Sequence, residues 1–379
     1  MIDFDTPVER RSTDSAKWLK YEGRDIIPLW VADMDFRSPQ AVVNALQERI
    51  AHGVFGYAQA RPALKTAVVN HLMSSYHWQI DPEWIVWLPG LVSGLNVACR
   101  SVGQPGDAVL TTIPIYPPFL SAPGYGQRRL KTTTMYYAQH RWHVDWDDLQ
   151  QAVEPDTTLF LLCNPHNPTG RVFSRQELTS LAQFFLRHDL IICSDEIHCD
   201  LILEHGCRHI PFATLGAEIA QRTITLMAPS KTFNIPGLSC AFAIIASDKL
   251  RRRFKHAMSG IVPHNNALGL VAAQAAFEHG QPWLHELLKY LRGNRDLVFQ
   301  TINQWNGMCM GAVEATYLAW IDARERIAED PAHYFEVAGV GLSDGREFGM
   351  PGFVRLNFGC SRQLLSQALA RMAGVVEKR

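Results

Sequence analysis

Apolar residues in this chain gather in short blocks, separated by longer stretches in which they recur every three or four positions. The blocks Trp84–Leu88, Ala108–Thr112, Leu159–Cys163, Leu190–Ser194, Thr223–Met227 and Cys240–Ala246 predict strands. Several lack the alternation of a strand with one wet face, which predicts a sheet covered on both sides. Helices are expected between them. Ser174-Arg-Gln-Glu177 has the spacing of a capping box opening a helix that reaches about Arg187, and Gly103-Gln-Pro-Gly-Asp107 predicts a helix-to-strand turn. Such alternation predicts an α/β fold with a mostly parallel central sheet and helices on both faces. Near residue 265 the pattern changes: a long helical region, roughly Asn266–Trp305, leads into a smaller α+β part with strands at Tyr317–Ile321 and Phe353–Phe358. The expected division is a large domain over residues 41–270, a small C-terminal domain over 271–379, and an N-terminal segment, 1–40, that joins the small domain.

A chain of 379 residues can bury a large core. Its 36 basic and 37 acidic side chains leave a net charge of −1, which argues against a nucleic-acid or anionic-membrane surface and favours small neutral or zwitterionic partners. No repeat or low-complexity tract interrupts the pattern, and no run approaches the roughly 18 apolar residues of a spanning helix. The opening MIDFDTPVERRSTDS carries no apolar leader core, so a soluble, cytoplasmic protein is expected. Eight cysteines are scattered without a C-x-x-C pair, several within strand blocks, as reduced and buried thiols would be.

In an open parallel sheet, ligands bind beyond the carboxyl ends of the strands, where loops and helix N-termini converge. The loops after the first five predicted strands hold Gly90-Leu-Val-Ser-Gly94, Pro114-Ile-Tyr116, NPHNPTG (164–170), DEIH (195–198) and APSKTFN (228–234), so all five fall on one edge. Unpaired N–H groups at the helix starting at Gly90 suit a phosphate. The amine of Lys231 suits imine chemistry with a carbonyl. Taken singly, each residue has an ordinary alternative: Lys231 as a surface lysine, Asp195 as a helix N-cap, Asn167 as a turn residue, Tyr116 as core. Together, an amine, an anion site, a carboxylate and an aromatic face point to pyridoxal 5′-phosphate (PLP). Arg355 stands among apolar residues in a predicted strand, where an unpaired guanidinium is costly, and its fork suits a carboxylate. The Cys/His-rich stretch from Cys193 to His209 has no pair at structural-zinc spacing, so no metal is expected. No G-x-S-x-G, Walker A or G-x-G-x-x-G motif is present.

Residues 159–240 resemble the fold-type I PLP enzymes of aminotransferase class I/II. PLWVADMDF (28–36), HGVFGY (52–57), NPHNPTGR (164–171), SDEIHCDL (194–201), SKTFNIPGL (230–238) and FVRLNFGCSR (353–362), in that order, are similar to the MalY/PatB branch of cystathionine β-lyases. The resemblance implies the PLP-dependent transferase fold, with the cofactor in the large domain. It implies that Lys231 holds PLP and moves the Cα proton, that Asp195 pairs with the pyridine nitrogen, and that Asn167 donates to the phenolic oxygen and helps place the substrate carboxylate. Tyr116 would stack on the ring and assist the leaving group. Ser230 and the backbone at Gly90, Leu91 and Val92 would bind the phosphate, with Ala228 where some relatives have serine. His198 would stand near the cofactor where many aminotransferases have tyrosine. Arg355 would take the substrate α-carboxylate with Arg362 as its neighbour, while Ala32 and Asp33 would close over the substrate. Tyr57 would reach the phosphate of the neighbouring subunit in a homodimer. The implied activity is a C–S β-lyase cleaving the Cβ–S bond of a cysteine-derived amino acid (cystathionine, a cysteine S-conjugate or a sulfoxide) to a thiol or sulfenic species, pyruvate and ammonia. Two alternatives stay open: an aminotransferase sharing the first steps, and a regulatory protein-binding role on the same fold.

Overall fold

In the computed structural model, which describes residues 2–327 and 329–376, seven strands form one sheet. Their spatial order is Ile85–Leu88, Ala241–Ile244, Thr223–Met227, Ile191–Asp195, Thr157–Cys163, Ala108–Ile113, Arg129–Thr134. Ala241–Ile244 runs antiparallel to both neighbours, and the remaining pairs are parallel. Along Thr157–Cys163, Leu159, Leu161 and Cys163 enter one hydrophobic cluster and Phe160 and Leu162 the other. The period of two is thus a period of direction rather than polarity, because both faces are covered. Helix Leu91–Ser101 adds Leu95, Val97 and Ala98 to the first cluster; helix Arg175–Arg187 adds Leu178, Leu181 and Phe185 to the second. Each fully buried Leu or Phe of this kind contributes about 1.5–3 kcal/mol. The expected capping box opens the latter helix: Glu177 N donates to Ser174 Oγ (3.3 Å), and Ser174 N to Glu177 Oε2 (2.8 Å).

One strand of this sheet has no counterpart in the sequence reading. Arg129–Thr134 is an edge strand that the apolar pattern does not predict, since its residues RLKTTT are mostly exposed or half-buried. A strand with a single neighbour needs no apolar cover, and charged side chains blunt its open edge; Arg129 and Lys131 pair with Glu154 at 2.9 and 2.5 Å. The helical region 266–305 is two helices, Ala267–His279 and Gln281–Ile302. They meet at Gly280, where a Cβ would stand 2.5 Å from both Ala276 O and the Phe233 ring, and a proline follows in the first turn of the second helix.

Beyond these helices a second, antiparallel sheet runs Cys309–Met310, Leu318–Asp322, Phe353–Asn357, Ser343–Asp344. The N-terminal segment lies against it. Ile27–Pro28 pairs in parallel with Val340–Gly341, and Asn357 Nδ2 donates to Val31 O (2.7 Å) and Asp33 O (2.9 Å). Residues 30–36 also touch the carboxyl edge of the large sheet, where Asn234 Nδ2 donates to Met34 O (3.0 Å) and Phe36 O (2.7 Å). Among the described residues no helix is long and apolar enough to cross a membrane.

Candidate active site

Five strand ends deliver the polar groups. After Ile85–Leu88 comes Gly90, the N-cap of helix Leu91–Ser101. The bond from Gly94 N to Gly90 O (3.2 Å) opens the intrahelical ladder, so the N–H groups of Leu91, Val92 and Ser93 precede it and present the positive end of the helix dipole. Ala108–Ile113 leads to Tyr116, the residue capping helix Pro117–Tyr125. Thr157–Cys163 leads to Asn167, Ile191–Asp195 ends on Asp195 itself, and Thr223–Met227 leads to Ser230 and Lys231. Their side chains line one cavity of about 200 Å³, which Val31, Ala32 and Arg355 complete from the N-terminal segment and the small sheet.

Buried acids hold the turn after Asp195. Glu196 accepts from Ser194 Oγ (2.8 Å) and Phe212 N (2.9 Å) and pairs with His209 (2.7 Å), which commits that histidine of the Cys/His-rich stretch. Asp200 accepts from Thr232 Oγ1 (3.0 Å) and Tyr76 OH and meets His71 Nε2 (3.0 Å). Since Thr232 adjoins Lys231, Asp200 ties the aspartate loop to the lysine loop.

Burial dominates the charges in the cavity. It draws the Lys231 amine down to about 8, a shift that Asp33 opposes, Arg355 adds to and Asp195 opposes. Lys231 Nζ donates to Ala32 O at 2.6 Å. Burial pushes the Asp195 carboxyl up to about 7, against the Ile197 N–H (3.1 Å) and with help from Glu196. Arg355 falls to about 10 by burial. His198 falls to about 3, from burial and then from Lys231 and Arg355, so its ring is neutral. Burial raises the Tyr116 hydroxyl and keeps it protonated. Arg355 Nη1 donates to Asn167 Oδ1 (2.9 Å), and its Nη2 donates to Trp30 O (2.9 Å) and Ser343 Oγ (3.3 Å). Its Nε, like His198 Nδ1, has no partner among the described residues. An acid with one N–H donor, an amine that loses its proton more readily than an ordinary lysine and a guanidinium with spare donor capacity can together take a zwitterionic ligand and a cationic ring nitrogen.

Of the residues singled out from the sequence, Lys231, Asp195, Asn167, Tyr116, Ser230, Leu91, Val92, His198, Ala32 and Arg355 line this cavity. Gly90 stands behind Leu91 as the helix cap. Asp33 does not face the cavity as expected. The turn closed by Asp33 N on Val31 O (2.9 Å) leaves Ala32 towards the lysine, and the Asp33 carboxylate goes to Arg10 Nη2 at 2.8 Å. Arg362 is engaged away from Arg355: it donates to Asn294 Oδ1 (3.2 Å) and lies over the Tyr290 ring (4.7 Å). Tyr57 is fully exposed, with its ring 6.5 Å from that of His264. Sequence reasoning missed Tyr317, whose hydroxyl donates to Ala32 O (3.1 Å) and whose ring meets His198 edge-on at 5.9 Å. It also missed Trp30 and Ser343, which serve Arg355 through a carbonyl and a hydroxyl that carry no motif.

A family model described as aminotransferase class I and II matches residues 24–372. The chain is 37% identical over 388 residues to the cystathionine beta-lyase PatB of Bacillus subtilis, covering 98% of this chain and 99% of that one. Its fold superposes on the crystal structure of OvoB with a TM-score of 0.97 and 47% identity, over 100% of both chains. It superposes on the PLP-bound C–S lyase of Staphylococcus hominis with a TM-score of 0.92 and 32% identity, over 99% of this chain and 98% of that one.

Proposed function

The chain belongs to the aminotransferase class I and II family, and from that premise we propose that it is a PLP-dependent carbon–sulfur β-lyase acting on a cysteine-derived amino acid. The lyase is favoured by the named relatives, and one observation carries the cofactor and amino-acid binding beneath it: a single cavity encloses an amine drawn to about 8, a buried carboxyl with no bonded cation among the described residues, and a guanidinium whose Nε has no partner among them. These residues fit the cofactor. The start of helix Leu91–Ser101 and Ser230 would hold its phosphate, and Asp195, which burial would otherwise neutralise, would be kept ionised by a protonated ring nitrogen. Lys231 would be its point of attachment. When bound, the group supplies an aldehyde that joins to amines and a ring that withdraws electrons from the substrate's Cα.

The protein's own groups would divide the remaining work. Arg355 binds the substrate α-carboxylate, with Asn167 beside it, and so orients the bonds at Cα. The Lys231 amine, drawn down to about 8 so that a minor but usable fraction is neutral at physiological pH, removes the Cα proton. The Tyr116 hydroxyl, protonated by burial, gives a proton to the departing sulfur. Ala32 and Val31 close the cavity on the side of the N-terminal segment and exclude water. For a thioether substrate, addition of one water balances the reaction: thiol, pyruvate and ammonium leave. The substrate is cystathionine, a cysteine S-conjugate or a cysteine sulfoxide; the last yields a sulfenic species in place of the thiol.

The functional unit in this reading is a homodimer. Tyr57, Phe55 and Val54 project, more than half exposed, from residues 53–61, which form no helix or strand, beside His264 and a groove of about 950 Å³ between helices Gln40–Ala51 and Ala267–His279. A partner subunit would cover this surface and receive Tyr57 at its phosphate site. Pyruvate formation from L-cystathionine or L-cysteine without any keto acid tests the reading. Pyruvate in stoichiometry with ammonia supports it. Amino transfer to an added keto acid with no pyruvate contradicts it and favours an aminotransferase.

A further inference from the structure

Arg10 precedes helix Ala16–Leu19 and does not line the cavity, yet it forks onto the loop that carries Ala32. Its Nη2 donates to Asp33 Oδ2 (2.8 Å), and its Nη1 to Asp35 Oδ1 (2.8 Å) and Met34 O (3.1 Å). Lys17, buried in that helix, donates to Asp33 O (2.9 Å) and Asp35 Oδ2 (2.7 Å). From the other side the same loop receives Lys231 Nζ and the Tyr317 hydroxyl at Ala32 O and Asn357 Nδ2 at Asp33 O. The loop is therefore a thin partition with two cations behind it and the candidate cofactor amine in front.

We propose that Arg10 is a positioning residue for Lys231: by pairing with Asp33 it neutralises the carboxylate next in sequence to Ala32, whose carbonyl holds the amine, and keeps that carbonyl, rather than the carboxylate, on Nζ. This rests on the reading of Lys231 as the cofactor amine. The charged groups bearing on Lys231 are Asp33, Arg355 and Asp195, with neutral His198 across the cavity. Those bearing on Asp33 are Arg10, Lys231, the Tyr317 hydroxyl and, at its carbonyl, Lys17. Among these, Asp33 is the strongest influence holding the amine protonated. Arg10 and Asp33 are 20% and 23% exposed, so the pair is not sealed off, and its coupling across the partition is moderate. Removing the guanidinium frees the carboxylate to favour the ammonium form; removing the carboxylate does the reverse.

The test is a pH titration of the visible absorbance of the PLP-loaded protein, which reports protonation of the Lys231 nitrogen, with thermal unfolding as a control. Arg10→Gln is expected to raise the midpoint by about 0.5–1 pH unit, a roughly three- to tenfold change in proton affinity. Arg10→Lys should stay near wild type, Asp33→Asn should lower the midpoint, and the double variant should return towards wild type. A midpoint unmoved in Arg10→Gln, or a rise that persists in the double variant, overturns the inference, even if the unfolding temperature falls. Should Arg10→Gln fail to fold, Asp33→Asn carries the same test with the opposite sign. If wild type develops no visible band and Lys231 is unmodified, the reading beneath the inference fails, and the inference with it.

Discussion

Asp195 is buried at the end of its strand with one N–H donor, and its carboxyl rises from 3.8 to about 7. A raised acid contributes stability below its unfolded value and loses it as pH climbs through the folded one. Cofactor-free protein should therefore lose stability between about pH 4 and pH 7. Asp195→Asn, which keeps the shape and removes the charge, should stabilise the cofactor-free protein by about 4 kcal/mol at pH 8, with a higher unfolding temperature, and leave it nearly unchanged at pH 4. In PLP-loaded protein the same variant should be destabilising, because in the proposed reading the ring nitrogen would lose its counter-charge. Calorimetry at the two pH values, with and without PLP, checks the reversal of sign. Arg355 belongs to the same scale. Arg355→Lys keeps the charge and loses the fork, so KM should rise about tenfold or more while kcat changes less, read from steady-state kinetics.

At the scale of elements, the strand blocks were legible because strands covered on both faces read as unbroken apolar runs, and Thr157–Cys163 feeds both clusters. The edge strand Arg129–Thr134 was not, since one-sided pairing and exposure leave no such run. The helical region expected over 266–305 divides at Gly280, whose need is the close approach of Phe233 from a distant loop, which no local pattern shows. The capping box at Ser174 was legible because its partners are three residues apart. Ser174→Ala should cost about 1 kcal/mol in denaturant unfolding. With helix Arg175–Arg187 packed away from the cavity, kcat/KM should not change.

For the molecule as a whole, the site was legible as far as topology determines it. Strand ends of a parallel sheet must share an edge, so Asn167, Asp195 and Lys231 could be gathered before their distances were known. What came from another layer was not legible: the carbonyl of Trp30 on Arg355, the hydroxyl of Tyr317 on Ala32, and the diversion of Asp33 to Arg10 all depend on how the N-terminal segment crosses from the small sheet. The proposed homodimer makes a prediction at this scale. Mixing inactive Lys231→Ala subunits with Tyr57→Ala subunits should regain about one quarter of wild-type activity if subunits exchange freely, because each hybrid dimer holds one complete site. No recovery despite verified exchange would place Tyr57 outside the partner's site. The most direct measurement of the central claim is borohydride reduction of the PLP-loaded protein followed by peptide mass mapping. The cofactor should be found fixed to Lys231 and to no other lysine, with Lys231→Ala unlabelled and inactive. A label elsewhere, or full turnover in Lys231→Ala, would contradict it.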